Sequence, residues 1–296
     1  MMMHAPLPFS QDHPATAISS FGFTADLIGI LAIHVLYREV ELAPKPGLVT
    51  ASSSGSHTDM TFDTFLRSLQ ALRPYFSAVT ACGMQRPDFA QLQSLGIRAE
   101  SEMLKATGGT NTHRGAIFNL GLLCAASGVL LANRIQLSAA ALCQAVARTW
   151  GHDILSCTPP FQSLSHGQCM ARLHGAGGAR QEAAAGFPSA HKIGLSTYRS
   201  ALTNGADTEQ ASVQTLFALI SVVEDTNLLW RGGPSGLTYA QRAARDFLEA
   251  GGIFTADWRA RAATIDRDFT VRRLSPGGSA DLLGVTLFLA AVDGLI

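Results

Sequence analysis

Apolar residues recur at helical spacing along nearly the whole chain, and no stretch shows the apolar–polar alternation that marks a strand. Residues 23–42 illustrate the pattern, because Leu27, Ile30, Leu31 and Val35 fall on one side of a helix. We therefore predict an all-α fold of roughly ten to twelve helices. The further helices that periodicity predicts lie at 62–82, 89–105, 116–132, 137–150, 190–202, 208–223, 237–250, 258–269 and 282–296.

The composition favours one large buried core. Of the 296 residues, 47% are hydrophobic and 15% are charged, which argues against a disordered chain. We expect residues 23–296 to form a single all-helical domain, and residues 1–22 to be a flexible N-terminal leader.

The charge balance excludes some partners. The chain has 22 basic and 22 acidic residues and a formal net charge of zero. Nothing global therefore attracts nucleic acid or an anionic membrane. A polyanionic ligand would have to be held by a local cluster of cations or by a metal ion.

Several features predict a cytoplasmic location. The five cysteines form no C-x-x-C pair, which suits buried thiols in a reducing compartment. The first twenty residues lack the basic and apolar regions of a signal peptide. Two apolar runs could be mistaken for membrane spans, but Asn119 and Asp293 interrupt them, so we interpret both as core helices.

A polar, glycine-containing stretch separates two predicted helices between Glu100 and Gly115. The Gly108–Gly109 pair lets backbone amides approach an anion, and the following helix N-terminus favours phosphate or carboxylate. The alternative is a glycine C-cap followed by a threonine N-cap, which needs no ligand. Glu100 opposes the helix dipole, which weakly favours a functional role. The other candidates in this stretch are Lys105, Asn111, His113 and Arg114.

Two further candidates lie in the loop after the first helix. Lys45 stands between two prolines that stop the helix and fix a stiff turn, although an ordinary helix terminator with a solvated lysine would look the same. His57 and Asp59 follow among small polar residues. Asp59 either caps the next helix or works beside His57 in acid–base or metal chemistry.

Charged residues beside glycines recur in the second half of the chain. Glu224 and Asp225 end an apolar helix, where adjacent carboxylates are unfavourable unless they are paired or bind a metal such as Mg²⁺. Arg180 and Arg231 stand beside glycines, as phosphate-binding residues often do, but a flexible connector or a simple turn explains them equally. The remaining candidates here are Gly232, Gly233, Gly277, Gly278, Ser279 and Asp281.

Taken in order, these motifs resemble the triphosphoribosyl-dephospho-CoA synthase family over about residues 25 to 296. One departure is Gln181, where a glycine is expected. The motifs that carry the resemblance are Pro44-Lys-Pro-Gly-Leu-Val49, Gly55-Ser-His-Thr-Asp-Met60, Thr107-Gly-Gly-Thr-Asn-Thr-His-Arg-Gly115, Gly178-Ala-Arg180, Glu224-Asp-Thr-Asn227, Arg231-Gly-Gly233 and Gly277-Gly-Ser-Ala-Asp281.

The resemblance implies a transfer between ATP and 3′-dephospho-CoA. The ribose 2′-hydroxyl of dephospho-CoA would attack C1′ of the ATP ribose, and adenine would leave. The product would pass to a holo-acyl-carrier-protein synthase as the prosthetic-group precursor of malonate decarboxylase or citrate lyase. We favour malonate decarboxylase, because the chain carries the Gly55–Met60 motif.

The implied chemistry suggests roles for the candidates. Phosphates would be bound by the basic residues Lys45, Lys105, Arg114, Arg180 and Arg231, with Asn111, Ser279 and the glycine pairs. Mg²⁺ would be held by Glu224 and Asp225, with Asp59 or Asp281. Glu100 or His113 would be the general base, and His57 and Asp59 could also take part in proton transfer or stabilise an oxocarbenium-like centre.

Two other functions fit a helical chain with acidic loops. One is a Mg²⁺-dependent all-α hydrolase of N-glycosidic bonds, of the ADP-ribosylglycohydrolase type. The other is a helical scaffold that binds a partner, which leaves the charged glycine loops without a purpose. Neither function needs nucleic acid or a membrane, and a homodimer remains open.

Overall fold

The computed structural model describes residues 24–157, 169–170, 173 and 175–296. In these residues the chain forms eleven α-helices and no β-strand, which confirms the predicted all-α fold. The expected leader at residues 1–22 lies outside them. The helices are α1 (Ala25–Glu41), α2 (Phe62–Gly83), α3 (Phe89–Ala106), α4 (Arg114–Ala132), α5 (Ala139–Ser156), α6 (Gly178–Ala184), α7 (Leu195–Thr203), α8 (Thr208–Val222), α9 (Thr226–Glu249), α10 (Trp258–Val271) and α11 (Gly277–Val292).

Capping boxes explain why some helix starts are readable from the sequence. The Asp88 side chain accepts a hydrogen bond from the Gln91 amide at 2.9 Å, and the Gln91 side chain accepts one from the Asp88 amide. Asp207 and Gln210 repeat the arrangement at α8. Each box satisfies first-turn amides that have no partner inside the helix, so the predicted starts at 89 and 208 are confirmed.

Two segments predicted as loops are helical. Helix α9 begins at Thr226, well before the predicted start at 237, and Gly233, with a φ of 62°, bends it. The predicted loop at 231–234 is therefore a kink inside a helix. The stretch after Gly177, expected to be a glycine-rich loop, forms α6 and then a π-helical turn (Ser189–Gly194) that leads into α7.

Helix α4 is the centre of the core. It packs against α1, α2, α3, α5 and α11, and most of its side chains are buried. By length and composition alone it could cross a membrane, but 72% of its most apolar window is buried inside the protein. Together with α11, which is also apolar on all sides, it forms the interior of the protein.

The loop between α1 and α2 is fastened to the C-terminal part of the chain. The Gly47 amide donates to Asp266 Oδ1 at 2.8 Å, and Ser56 Oγ donates to the Leu274 carbonyl at 2.5 Å. A Cβ at Gly47 would lie 2.1 Å from the Leu274 oxygen, so only glycine fits this contact. The loop thereby contacts α10 and the segment from which α11 begins.

Candidate functional site

A cavity of about 1140 Å³ lies where these elements meet. Small-molecule pockets usually measure ~300–1,000 Å³, so this one has room for a large ligand or for two. Its walls bring together motifs that are far apart in the sequence. The sequence-predicted residues that line it are Lys45, His57, Asp59, Glu100, Asn111, His113, Arg114, Arg180, Glu224, Asp225, Arg231, Gly277, Gly278 and Asp281.

Three predicted phosphate-binding residues lie outside the cavity wall. Gly108 and Gly109 have positive φ and end α3, with the Gly109 amide donating to the Leu104 carbonyl at 2.7 Å. This is the glycine C-cap that the sequence left as the alternative. Lys105 is exposed on α3 and donates to Glu102 at 2.6 Å. The placement of these residues therefore differs from the expectation that they contact a phosphate in the cavity.

Gly232, Gly233 and Ser279 also lie off the wall, each with a structural role. A Cβ at Gly232 would lie 2.6 Å from Leu274 Cδ2, so glycine permits close packing there. Gly233 provides the kink of α9. Ser279 donates to Asp225 Oδ2 through its amide at 2.7 Å and its hydroxyl at 3.0 Å.

A buried ion pair lies at the inner end of the cavity. Lys45 Nζ donates to Glu39 Oε1 at 2.8 Å and to the Glu39 carbonyl at 2.7 Å, and both side chains are buried. The solvated-lysine alternative is therefore wrong. Burying two charges is costly even when they are paired, so this pair points to a requirement for charge inside the cavity.

His113 is fully buried beside this pair. Its Nδ1 is 2.6 Å from Ser68 Oγ, and its Nε2 has no hydrogen-bond partner among the described residues. Burial, and after it the charge of Lys45, lower the pKa of His113 to about 3. The imidazole is therefore neutral near pH 7. It can form a hydrogen bond with a ligand, but it is a poor proton acceptor.

Two more buried polar atoms on the cavity lining lack partners in the described part of the chain. They are Thr112 Oγ1 and Asn119 Oδ1. Asn119 is one helical turn beyond Gly115 on α4, so it follows His113 along the same wall. Each unsatisfied buried group costs about 1–3 kcal/mol, which a bound polar ligand would recover.

Asp281 adds an unpaired carboxylate to this inner region. It makes no hydrogen bond within the described residues, and a Cβ at Gly115 would lie 1.8 Å from its Oδ2. Burial, and after it the carboxylates of Glu39 and Asp225, raise the pKa of Asp281 well above its ordinary value. We use the name "cavity floor" for Glu39, Lys45, His113, Asn119 and Asp281.

Asp225 is buried next to the cavity floor, and both of its carboxylate oxygens accept hydrogen bonds from the protein. Oδ1 accepts from the Asn227 and Leu228 amides at 2.9 and 3.3 Å, which caps α9, and Oδ2 accepts twice from Ser279. Burial raises the pKa of Asp225, and these hydrogen bonds act in the opposite direction. Few lone pairs remain for a metal ion, so the geometry favours a structural role.

Arg231 and His57 form a linked pair on the outer wall. Arg231 Nη2 donates to His57 Nδ1 at 3.0 Å, so the other ring nitrogen carries the proton and donates to Ser275 Oγ at 2.8 Å. Burial, and after it Arg231, lower the pKa of His57 to about 4. Because both ring nitrogens are engaged, His57 suits a positioning role. Asp59 lies beside it, 3.7 Å away, and is not the cap of α2.

The other two cavity arginines differ in availability. Arg114 forms an ion pair with Glu100, its Nε donating at 2.6 Å, and both side chains are partly exposed in the cavity. Arg180 instead donates to the Ile154 and Cys157 carbonyls at the end of α5. Arg114 can therefore reach an anion more easily than Arg180, which stabilises a helix C-terminus.

The donor set of the cavity suits Mg²⁺ only in part. Among residues 24–157, 169–170, 173 and 175–296, no three His, Cys, Asp or Glu side chains converge on a metal position. Asp59 and Glu224 are exposed carboxylates on the wall. They fit Mg²⁺ if phosphate oxygens and water complete its shell, as is usual for nucleotide-bound Mg²⁺.

Sequence reasoning missed some residues of this site. Glu39 carried a signal, since it is an acid in the last turn of a helix. Asn119 also carried one, as a polar residue within an apolar run. Ser68 and Ser275 carried none, because their roles depend on contacts with His113 and His57 from distant parts of the chain.

Comparisons with known proteins agree on one family. The profile of the ATP:dephospho-CoA triphosphoribosyl transferase family matches residues 25–296. A protein from Acinetobacter calcoaceticus is 41% identical, with 95% of each chain covered, and one from Photobacterium profundum is 38% identical, with 91% of this chain and 88% of that protein covered. Both carry the name "Probable 2-(5''-triphosphoribosyl)-3'-dephosphocoenzyme-A synthase". No solved structure matches the chain.

Proposed function

Because the chain belongs to the ATP:dephospho-CoA triphosphoribosyl transferase family, we propose that it transfers the triphosphoribosyl group of ATP to 3′-dephospho-CoA. The bond formed joins the dephospho-CoA ribose 2′-oxygen to C1′ of the ATP ribose. The bond broken joins that carbon to adenine. The hydroxyl proton leaves the acceptor, and adenine departs with a proton.

The observation that carries this proposal is the cavity floor. A ribose-to-ribose transfer needs a water-poor place where several neutral hydroxyls and a leaving base find polar partners. His113 Nε2 and Asn119 Oδ1 are buried, unpartnered and part of the lining. They supply hydrogen-bonding capacity without the negative charge that would repel a nucleotide.

We assign the proton transfer to Asp281. It lies on the cavity lining, makes no hydrogen bond to a described residue, and is surrounded by carboxylates that favour its protonated form. Such a group can give its proton to the departing adenine and then take the hydroxyl proton of the acceptor. Of the two bases expected from the sequence, Glu100 is held by Arg114, and His113 binds a proton weakly.

The outer wall provides the groups for the phosphates. Arg114, whose side chain is partly exposed, is the cavity arginine for this role, and Arg231, which His57 and the Ser56 carbonyl hold in place, adds a second positive charge. Asp59 and Glu224 would hold Mg²⁺ together with phosphate oxygens, and the ion would neutralise part of the triphosphate charge. Lys45 adds a buried positive charge at the inner end.

The wider setting follows from the same proposal. The product would pass to a holo-acyl-carrier-protein synthase of a malonate decarboxylase or citrate lyase system. The five cysteines are free, as in a cytoplasmic enzyme, and we propose that location.

Incubation of the purified protein with ATP, Mg²⁺ and dephospho-CoA tests the proposal by mass spectrometry. We expect the triphosphoribosyl adduct and free adenine in equal amounts, and at least about 100-fold slower formation of both by Asp281→Asn. A folded protein that yields neither product contradicts the proposal. Adenine or ribose release that does not require dephospho-CoA would instead indicate the N-glycosidic hydrolase.

A further inference from the structure

One face of α3 lines the cavity along most of the helix. Phe89, Leu92, Gly96 and Ile97 follow one another at helical spacing, and Glu100 ends the row. At 1.5 Å per residue the row is about 16 Å long. The row is uncharged from Phe89 to Ile97. Its other end is charged, because Glu100 lies there and forms an ion pair with Arg114.

The uncharged part of this row is apolar, and one of its side chains is exposed. Ile97 is 62% exposed although it lies on the cavity wall, and Phe118 of α4 lines the same cavity. We use the name "apolar limb" for Phe89, Leu92, Gly96, Ile97 and Phe118. An apolar wall continuous with a polar site is typical of a pocket for a ligand that has one charged and one uncharged end.

We propose that the apolar limb binds the pantetheine arm of 3′-dephospho-CoA, an inference that rests on the proposed function. Dephospho-CoA consists of ADP extended by this uncharged arm, so its diphosphate would bind at Arg114 while the arm follows α3. ATP has no such arm. The limb therefore distinguishes the acceptor from the donor, although both contain adenosine and phosphates.

Gln93 provides a polar contact suited to that arm. It belongs to the same cavity-lining row, and its side-chain amide donates to Cys157 Sγ at 3.3 Å, which is a weak hydrogen bond. Pantetheine contains secondary amides, and a side-chain amide can both donate to them and accept from them. The polar groups of the arm would thus have a partner beside the apolar limb.

Gly96 gives the sharpest test of this subsite. A Cβ at Gly96 would make only ordinary contacts, 3.7 Å from the Tyr75 hydroxyl and 3.9 Å from Ile117 Cγ2. The Gly96→Leu variant is therefore expected to fold, and the leucine side chain should occupy the apolar limb. Ser94→Leu is the matched control, because Ser94 is exposed on α3 and does not line the cavity.

The measurement is the affinity of each variant for dephospho-CoA and for ADP, by calorimetry. We expect the wild type to bind dephospho-CoA about tenfold more tightly than ADP, because the arm buries apolar surface. Gly96→Leu should reduce this ratio to near one and leave ADP affinity within about twofold, while Ser94→Leu should keep the ratio. An unchanged ratio in Gly96→Leu, or a ratio near one in the wild type, overturns the inference.

A second variant covers the case in which Gly96→Leu does not fold. Ile97→Ser removes apolar surface without blocking the limb, and it should lower the ratio about threefold, whereas Val271→Ser, at a position 83% exposed, should not.

The outcome for this subsite can be separated from the outcome for the proposed function. A wild type that forms the adduct but shows no arm-dependent affinity refutes the subsite alone, and absence of the adduct refutes the transfer.

Discussion

Asp225 Oδ2 accepts hydrogen bonds from both the amide and the hydroxyl of Ser279, which joins the start of α9 to the start of α11. The same carboxylate caps α9 through Oδ1. One buried side chain thus fixes two helix N-termini that border the cavity. The acidic pair that the sequence suggested as a metal ligand set therefore contains a residue whose contacts are structural.

Asp225→Ala should lower the free energy of unfolding by about 3 kcal/mol, because it leaves the first-turn amides of two helices without their acceptor. Ser279→Ala removes only the hydroxyl contact and should cost about 1 kcal/mol. Urea denaturation followed by circular dichroism measures both. A fully stable Asp225→Ala protein that has lost its Mg²⁺ dependence would instead restore the metal role.

Gly109→Ala tests whether the glycine pair is a helix cap or a phosphate contact. Gly109 has a φ of 91°, and no atom lies within 4 Å of an added Cβ, so the cost is backbone strain alone. We expect a loss of about 1 kcal/mol in unfolding free energy and a KM for ATP within twofold of the wild type. A tenfold increase in KM would show that these amides do contact the nucleotide.

Most of the fold was readable because periodicity and caps are local. Residues 89–105 and 208–223 were predicted nearly to their observed bounds, since an apolar face and a capping aspartate act within one helix. The start of α9 was missed because glycines and a proline in sequence suggest a loop, whereas packing against Leu274 permits a bend inside one helix.

The sequence predicted the motifs of the site but not the side-chain contacts between them. The ordered loops predicted which segments line the cavity. They could not show that Lys45 is buried against Glu39, or that Arg180 donates hydrogen bonds to carbonyls at the end of α5. A partner depends on which distant segment packs opposite, and a single sequence carries no signal for that contact.

The Lys45–Glu39 pair yields a prediction in which two changes compensate each other. Glu39→Gln leaves a buried ammonium without its counter-charge and should cost about 3 kcal/mol. The double variant Lys45→Met, Glu39→Gln removes both charges and should recover most of that loss, while turnover stays low because the charge is needed at the cavity floor. Denaturation and turnover are measured on the same preparations. Additive losses in the double variant would contradict a paired role.

Acidification should weaken the fold through two histidines. Their pKa values are about 3 for His113 and about 4 for His57 in the folded protein, and about 6.5 in the unfolded chain. Between about pH 6.5 and pH 4 the unfolded chain therefore binds more protons, so stability falls as pH falls, by about 2 kcal/mol or more between pH 7 and pH 5.

The contribution of the histidines is isolated by comparing how steeply the free energy of unfolding falls with pH in the wild type and in the variants. Asp281 titrates in the opposite sense, since its raised pKa favours the folded state at lower pH. His57→Gln and His113→Gln keep this effect but remove one histidine each, so each should flatten the decrease of stability with acid. A slope identical to that of the wild type in both variants would exclude the histidines as its source.

Asp281→Asn should separate stability from activity. The half-buried carboxylate is opposed by Glu39 and Asp225 and has no hydrogen-bond partner among the described residues, so a neutral amide relieves repulsion and should raise the Tm by about 2–4 °C. Turnover should fall at least about 100-fold, because the group that carries the proton is lost. Calorimetry and adduct formation test both effects. A merely structural aspartate would lower the Tm when neutralised, so a rise in Tm with a loss of turnover is the result that only a functional carboxylate predicts.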